Sequence, residues 1–151
     1  MPKIYWAGDS TVAKNTIETW PQTGIGQEFE RFLRGGVRVE NFALNGRSTK
    51  SFMDEGHLDA IAAQIQAGDF LFIQFGHNDE KPEDPTRYAD PEVGFPENLG
   101  KFVAVAREKG ATPVIITPVT RFDRNGPKAL YHHARWAESA CRTGEKLGVA
   151  V

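Results

Sequence analysis

The chain has 151 residues, of which 40% are hydrophobic and 25% are charged, and its formal net charge is −2 at pH 7. This composition suits one globular domain with a sizeable core, and two domains of ordinary size are excluded. Because lysine and arginine are not concentrated in a basic stripe, the charge pattern disfavours nucleic acid as a partner.

Cysteine content and hydropathy point to neither a disulfide scaffold nor a membrane protein. The single cysteine, Cys141, lies in an alanine-rich helical pattern that is typical of a small core residue. The longest apolar run, FLFIQF, is far shorter than the roughly 20 residues that span a bilayer. We therefore expect a soluble protein that does not bind membranes, cytoplasmic unless a signal peptide has been removed. Its oligomeric state is left open.

Short β-rich runs alternate along the chain with longer stretches of helical period. This pattern predicts βαβ units around a parallel sheet that is covered on both faces. The third run, FLFIQF, is nearly continuous in apolar residues, so we place it in the centre of the sheet with both faces buried. The predicted strands cover residues 3–7, 37–43, 70–75 and 112–117.

Helices are predicted where apolar residues recur on one face. The predicted segments are residues 24–34, 96–109 and 127–147. In the first segment the inward face would consist of Ile25, Phe29, Phe32 and Leu33. In the third segment, Pro127 suits the first helical turn, and Trp136 and Ala140 would face inward.

Two stretches lie outside this regular alternation. Residues 79–96 are rich in proline and acidic side chains and are too long for an ordinary connection, so we interpret them as a rim or lid loop. The sequence LGVAV, which follows the last predicted helix, begins a fifth strand, and the chain stops at Val151. We therefore expect a domain truncated at its fifth strand.

Polar turns follow the first three predicted strands. They are Gly-Asp-Ser-Thr at 8–11, Leu-Asn-Gly-Arg-Ser at 44–48 and Gly-His-Asn-Asp at 76–79. Because the carboxyl ends of parallel strands share one edge of a sheet, these turns are expected to form one ligand-binding rim. Together they supply a serine hydroxyl, a glycine N–H and a carboxamide, which are the groups that acyl transfer needs.

Each of these residues also has an ordinary structural interpretation when it is taken alone. Ser10 could cap a helix, Gly46 could be a turn residue with positive φ, and Asn78 could belong to a simple turn. Their joint placement after three successive strands favours a functional site.

The blocks GDSTVA, ALNGRSTKS and QFGHND, in this order and at these strand ends, resemble the first three blocks of the SGNH (GDSL-like) hydrolases. Within that family they resemble the rhamnogalacturonan acetylesterase group, and the resemblance covers about residues 4–151. It implies one domain over residues 1–151, folded as a flavodoxin-like three-layer α/β/α sandwich with strand order 2-1-3-4-5. It also implies hydrolysis of an ester without a metal or any other cofactor.

The resemblance implies a role for individual residues of these blocks. Ser10 would be the nucleophile, and its own N–H, the Gly46 N–H and the Asn78 side chain would form the oxyanion hole. His77 would support the site rather than act as its base. Asp9 can hold the turn through side-chain hydrogen bonds to the backbone. In that family the reaction is acyl-enzyme hydrolysis, and the acetylesterase branch removes acetyl groups from pectin oligosaccharides.

The base of the implied triad is not found in these blocks. The family supplies it from an Asp-x-x-His block after the fifth strand, so we expect the triad Asp and His beyond Val151. The tetrapeptide 54–57 has a similar form, but it lies between the second and third predicted strands, and we interpret it as coincidence. The adjacent His132 and His133 are expected to be solvated or capping rather than catalytic or metal-binding.

Three functions follow from this reading. The leading hypothesis is a carboxylic ester hydrolase acting on the acetyl ester of a small molecule or oligosaccharide, with Tyr88 and Phe95 of the loop facing a sugar. A second is a lipid or thioester acyl hydrolase of the same family, which the polar loop disfavours. A third is a non-catalytic ligand-binding module, because the triad base is absent from this chain.

Overall fold

A four-stranded parallel sheet forms the centre of the computed structural model, which describes residues 1–120 and 133–151. The strand order is β2-β1-β3-β4, so the predicted α/β class and the first four positions of the predicted order are confirmed. The strands are β1 (Lys3–Gly8), β2 (Arg38–Asn41), β3 (Phe70–Gln74) and β4 (Thr112–Ile116).

The chain after the last helix lies beside β4. Ala150 forms a single parallel bridge with Val114, and the Ile115 N–H donates a hydrogen bond of 2.9 Å to the Ala150 carbonyl. This contact lies where the predicted order places a fifth strand, but it is one bridge and not a strand.

The described helices lie between and after these strands. None of them is both long enough and apolar enough to cross a membrane. Single 3₁₀ turns occur at Ile17–Thr19 and Phe29–Phe32. The α-helices are α1 (Ile25–Glu28), α2 (Thr49–Asp54), α3 (His57–Ala62), α4 (Gly94–Glu108) and α5 (Ala134–Leu147).

Strand side chains alternate between two cores, one on each face of the sheet. Helices α2 to α5 cover the larger core, and α1 with the 3₁₀ turn after it covers the smaller one, which gives the predicted three layers. Large fully buried members of the larger core are Phe52, Ile61, Leu71, Ile73, Phe75, Phe95, Leu99, Phe102 and Ile115. The smaller core consists of Trp6, Val12, Ala13 and Ala43, with Phe29, Val39, Phe72 and Ile116 packed against them.

The central strand β3 is less buried than its apolar sequence predicts. Leu71 and Ile73, which face the larger core, are fully buried. Phe70 and Phe72, which face the other side, are only half-buried because the described cover there is short. The prediction of a central position is confirmed, whereas burial on both faces is correct for one face only.

The helix predicted over residues 24–34 is wrong in its length and in its inward face. After α1 the chain tightens into the 3₁₀ turn, which has about three residues per turn and therefore rotates later residues away from the core. Phe29 packs against Trp6 with ring centroids 5.1 Å apart. Ile25 and Phe32, by contrast, are 43% and 80% exposed.

The last predicted helix corresponds to α5 over its described part. Trp136 and Ala140 are buried as predicted, while Pro127 lies outside the described residues. Cys141 is exposed and is not the small core residue that was predicted. It follows Ala140 directly, and successive helical side chains point about 100° apart, so it lies away from the core.

Helices α2 and α3 were not predicted. Each is only six residues long, too short to show a helical period in the sequence. The start of α2 is nevertheless specified locally by a capping box: the Ser51 N–H donates to Ser48 Oγ at 3.1 Å, and the Ser48 N–H donates to Ser51 Oγ at 2.9 Å.

The loop at residues 79–96 packs onto the body of the domain. The Ala89 N–H donates to the Asp79 carbonyl at 3.1 Å, and Trp136 Nε1 donates to the Ala89 carbonyl at 3.0 Å. Phe95 is 1% exposed within the larger core, so the expectation that it faces a sugar is wrong. Tyr88 is half-buried, with its hydroxyl 3.3 Å from Asp90 Oδ2.

The larger core and the surface can be told apart by matched phenylalanine substitutions. Phe102 is fully buried, with ring centroids 5.8 Å from Phe52 and 5.4 Å from Phe75. We expect Phe102→Ala to lower the free energy of unfolding by about 3–5 kcal/mol, because it removes a buried ring and leaves a cavity. Phe32→Ala removes the same atoms from an exposed position and should cost less than about 0.5 kcal/mol. Urea unfolding measures both losses, and equal losses would contradict this core.

Candidate active site

The turns after β1, β2 and β3 are hydrogen-bonded to one another at the carboxyl edge of the sheet. The Leu44 N–H donates to the Gly8 carbonyl at 3.1 Å and joins the first turn to the second. Asn78 Nδ2 donates to the Arg47 carbonyl at 3.0 Å and joins the second turn to the third. The structure therefore brings the three predicted blocks together as one rim.

Ser10 lies in a turn that Asp9 organises. Asp9 is buried, and its Oδ1 accepts hydrogen bonds from Thr11 N at 2.9 Å and from Thr11 Oγ1 at 2.8 Å. Its carbonyl accepts from the N–H groups of Val12 and Ala13. Ser10 is half-buried, and within residues 1–120 and 133–151 neither its hydroxyl nor its N–H has a hydrogen-bond partner. Both groups can therefore bind a ligand.

Gly46 has a left-handed backbone with φ +77°, which explains why glycine stands there. The turn is closed by a 3.3 Å hydrogen bond from the Arg47 N–H to the Leu44 carbonyl. The Gly46 N–H itself has no hydrogen-bond partner in the part of the chain that the structure describes. A Cβ at Gly46 would meet no heavy atom closer than Arg87 Nη1 at 3.9 Å, so the constraint is the backbone conformation and not space.

Asn78 is buried, with 6% of the residue exposed, and the orientation of its carboxamide is defined by two hydrogen bonds. Its Nδ2 donates to the Arg47 carbonyl, and its Oδ1 accepts from Arg87 Nη1 at 3.3 Å. A carbonyl can only accept and a guanidinium can only donate, so the two partners distinguish the amide oxygen from the nitrogen. One Nδ2 hydrogen is used, and among the described residues the second has no partner.

Asp79 is a buried carboxyl that links the third turn to α2. Its Oδ1 accepts from Thr49 N at 2.9 Å and from Thr49 Oγ1 at 2.5 Å, and Asn98 Nδ2 donates to the same hydroxyl at 3.0 Å. The pKa of Asp79 is raised to about 7, chiefly by burial; the Thr49 hydrogen bonds oppose the shift, and the nearby Asp9 carboxyl adds to it. Asp79 completes the third block, but its residue type and position predicted no role for it.

His77, which directly precedes Asn78 in the chain, forms a buried pair of tilted rings with His133. Their ring centroids are 3.9 Å apart with an interplanar angle of 31°. His77 Nε2 is 2.8 Å from the Val119 carbonyl, which can only accept, so this nitrogen carries a proton and cannot serve as a base. His133 Nδ1 contacts the Glu80 carboxylate. His133 stands at the N-cap position of α5, but its side chain is buried and makes no capping hydrogen bond, so the expectation of a solvated or capping side chain is wrong. His132 lies outside the described residues.

The remaining histidine, His57, lies in a surface cluster. Its Nε2 and Arg47 Nε each lie 2.9 Å from Glu55 Oε2. Both contacts lower the pKa of Glu55, and that of Arg47 has the larger effect. Across residues 1–120 and 133–151, no histidine is hydrogen-bonded to Ser10. The same residues contain no group of three His, Cys, Asp or Glu side chains that could hold a metal ion.

Comparison with known proteins gives the family. The profile of the GDSL-like Lipase/Acylhydrolase family matches residues 7–151. The chain belongs to this family. Rhamnogalacturonan acetylesterase RhgT of Bacillus subtilis (strain 168) is 48% identical over 126 residues, which are 82% of this chain and 53% of RhgT. The probable rhamnogalacturonan acetylesterase YesY of the same strain is 46% identical over 119 residues, 79% of this chain and 54% of YesY.

The predicted resemblance to the SGNH (GDSL-like) hydrolases and their rhamnogalacturonan acetylesterase group is thereby confirmed. The chain spans about half the length of these curated relatives. Among solved structures, that of the YxiM protein of Bacillus subtilis superposes with a TM-score of 0.80 at 25% identity, covering 99% of this chain and 42% of that one. The fold of this family member is therefore shared over essentially the whole chain.

Asp79 makes stability depend on pH. Its ordinary carboxyl pKa is 3.8 and its pKa in the folded protein is about 7. Between these values the folded state holds a proton that the unfolded state has released, so stability falls as pH rises. Asp79→Asn keeps an oxygen for Thr49 and removes the ionisation. We therefore expect the stability of this variant relative to the parent to rise between about pH 4 and 7, by on the order of 1 kcal/mol per pH unit.

Urea unfolding of both proteins at several pH values measures this difference. Groups that titrate alike in the two proteins cancel in the comparison. A stability difference that stays constant with pH would contradict a raised pKa at Asp79.

Proposed function

We propose that this chain carries the nucleophile and the oxyanion-binding groups of a carbohydrate O-acetylesterase. The observation that carries the proposal is the set of available groups on one rim: the hydroxyl and N–H of Ser10, the N–H of Gly46 and one amide hydrogen of Asn78. A hydroxyl on the same rim as available N–H donors suits attack on an ester carbonyl, because negative charge then develops on the carbonyl oxygen.

In the proposed reaction Ser10 Oγ attacks the acetyl carbonyl carbon, and its proton passes to a base. The three N–H groups donate to the oxyanion of the tetrahedral intermediate. When this intermediate collapses, the ester C–O bond breaks, the base gives its proton to the leaving sugar oxygen, and an acetyl group stays on Ser10. Water then hydrolyses this acetyl-serine, which releases acetate and restores the Ser10 hydroxyl. The base would come from the Asp-x-x-His block that the family resemblance implies. His77 Nε2 does not serve as this base, because it donates its proton to the Val119 carbonyl.

The substrate class is proposed from the relatives and from the rim. RhgT and YesY carry the name rhamnogalacturonan acetylesterase, in the second case as probable. The loop beside Gly46 and Asn78 presents Asp84 and Thr86, whose polar groups suit sugar hydroxyls better than an aliphatic acyl chain. We therefore propose an acetylated pectin-type oligosaccharide as the substrate.

Substitution of the nucleophile and of one oxyanion donor tests the reaction in the full-length protein. Ser10→Ala should abolish acetate release from acetylated pectin fragments and from 4-nitrophenyl acetate. Asn78→Ala should lower kcat by hundreds-fold, since one lost donor removes about 3–4 kcal/mol of transition-state stabilisation.

A fluorophosphonate should label the parent protein at Ser10 and should not label Ser10→Ala. Acetate release that persists in Ser10→Ala would contradict the proposal. Binding of the acetylated oligosaccharide without labelling or turnover would instead indicate a non-catalytic binding module.

Gly46 and Gly56 offer a matched test of the second donor. Both have positive φ, +77° and +80°, and in neither case would a Cβ clash with a neighbour. Alanine at either site should cost about 1–2 kcal/mol of stability through backbone strain. Gly46→Ala should also lower kcat on the order of tenfold or more, because the strained turn moves an oxyanion donor.

Thermal melting and steady-state kinetics of the two variants separate these effects. Gly56→Ala serves as the control, and its kcat should stay at the parent value. Equal kcat values for the two variants would remove Gly46 from the oxyanion hole.

A further inference from the structure

Arg87 lies in the polar loop and reaches both the second and the third turn of the rim. Its Nη1 donates to Asn78 Oδ1 at 3.3 Å and is the nearest heavy atom to the space beside Gly46. The side chain is 29% exposed. A cationic group thus sits next to two of the proposed oxyanion donors, although the sequence analysis assigned it no role.

Arg87 is held in this position from its own loop. Its Nε donates to Asp84 Oδ2 at 2.5 Å, and its backbone N–H donates to the Asp84 carbonyl at 3.0 Å. Asp84 is held in turn by the N–H and hydroxyl of Thr86, at 3.1 and 2.5 Å. Hydrogen bonds from Thr86, which has the larger effect, and from Arg87 lower the pKa of Asp84 to about 2. This carboxylate therefore stays charged at neutral pH.

The loop is also fastened to the rest of the rim. Lys50 Nζ, in α2, donates to the Pro85 carbonyl at 2.6 Å. On the other side of Arg87, the Ala89 N–H donates to the Asp79 carbonyl. The guanidinium is therefore presented by a segment anchored at both ends, and not by a free surface side chain.

The contact with Arg87 fixes which way the Asn78 carboxamide faces. If the amide rotated by 180°, its nitrogen would face the Arg87 guanidinium and its oxygen would face the Arg47 carbonyl. Donor would then oppose donor, and acceptor would oppose acceptor. Rotation would also alter which atoms the amide presents to the rim. Arg87 and the Arg47 carbonyl thus enforce the same orientation from opposite ends of the amide.

A cation hydrogen-bonded to an amide oxygen also makes the amide nitrogen a stronger hydrogen-bond donor. Charge-assisted hydrogen bonds are stronger than neutral ones, and linked hydrogen bonds polarise each other. The charge on Arg87 draws electron density toward Oδ1 and makes the Nδ2 hydrogens better donors. The effect would matter most when Nδ2 faces a developing negative charge.

We propose that Arg87 is a positioning residue of the oxyanion hole, which orients and polarises the Asn78 carboxamide. This inference rests on the proposed function, because it needs Asn78 to donate to the oxyanion. Arg87 touches Asn78 and need not touch the substrate. Removing Arg87 should therefore slow turnover through Asn78 and leave substrate binding nearly unchanged.

A double-mutant cycle on the full-length protein tests this dependence with 4-nitrophenyl acetate. Arg87→Met keeps most of the side-chain length and removes the charge. In the parent background it should lower kcat on the order of 10- to 100-fold and change KM less than about twofold. In the Asn78→Ala background the same substitution should change kcat less than about twofold, because the amide is already gone.

Two further variants complete the experiment. Arg31→Met is the matched control, since Arg31 also pairs through Nε with a carboxylate three residues earlier, Glu28, but lies near α1; its kcat should be unchanged. Arg87→Lys should recover part of the rate by supplying a cation without the planar fork. Thermal melting of each variant tests whether it is folded. If Arg87→Met does not fold, Arg87→Lys takes its place in the double-mutant cycle.

The outcomes separate the two proposals. Equal losses from Arg87→Met with and without Asn78 would overturn the inference, as would a change in KM alone. If Asn78→Ala slows turnover while Arg87→Met does not, the inference fails and the proposed function stands. If Asn78→Ala leaves kcat unchanged, the assignment of Asn78 as a donor fails, and the role of Arg87 fails with it.

Discussion

The parallel pairing of β1 with both β2 and β3 is the constraint on which the rest of the site depends. β1 lies between these two strands, so the turns that follow all three leave the sheet at one edge. The register extends to the strand ends: Gly8 pairs with Gln74, and the Leu44 N–H donates to the Gly8 carbonyl. Residues separated by more than thirty positions thereby become neighbours.

Buried polar contacts then set the arrangement within that edge. Thr49 donates to Asp79, and Asn78 donates to the Arg47 carbonyl, so two hydrogen-bonded links run in opposite directions between the second and third turns. The charged form of a buried carboxyl is costly in a low-dielectric interior, which is why the pKa of Asp79 rises. Such a group adds specificity of geometry more readily than stability. The N–H groups proposed to bind the oxyanion are consequently held in place before substrate arrives.

The polar loop at residues 79–96 contributes to this edge in a way that its composition alone does not reveal. It packs against α2 and against Trp136, and it places Arg87 beside Asn78. Its aromatic residue Phe95 belongs to the core instead of the rim. The sequence DPTR does contain a local signal for this arrangement, since an Asp followed by Thr and Arg two and three positions later can accept from both.

The sequence by itself determined the α/β class, the central place of β3 and the turns that carry Ser10, Gly46 and Asn78, because strand period and turn chemistry are local properties. Only the tertiary structure decided which apolar residues of the segment 24–34 face the core. Phe32, which falls on the expected helix face, is exposed because the chain forms a 3₁₀ turn at Phe29–Phe32. Likewise, burial of Asp79 and contact of Arg87 with Asn78 join residues from separate elements. Such contacts depend on how the elements pack, which no local pattern encodes.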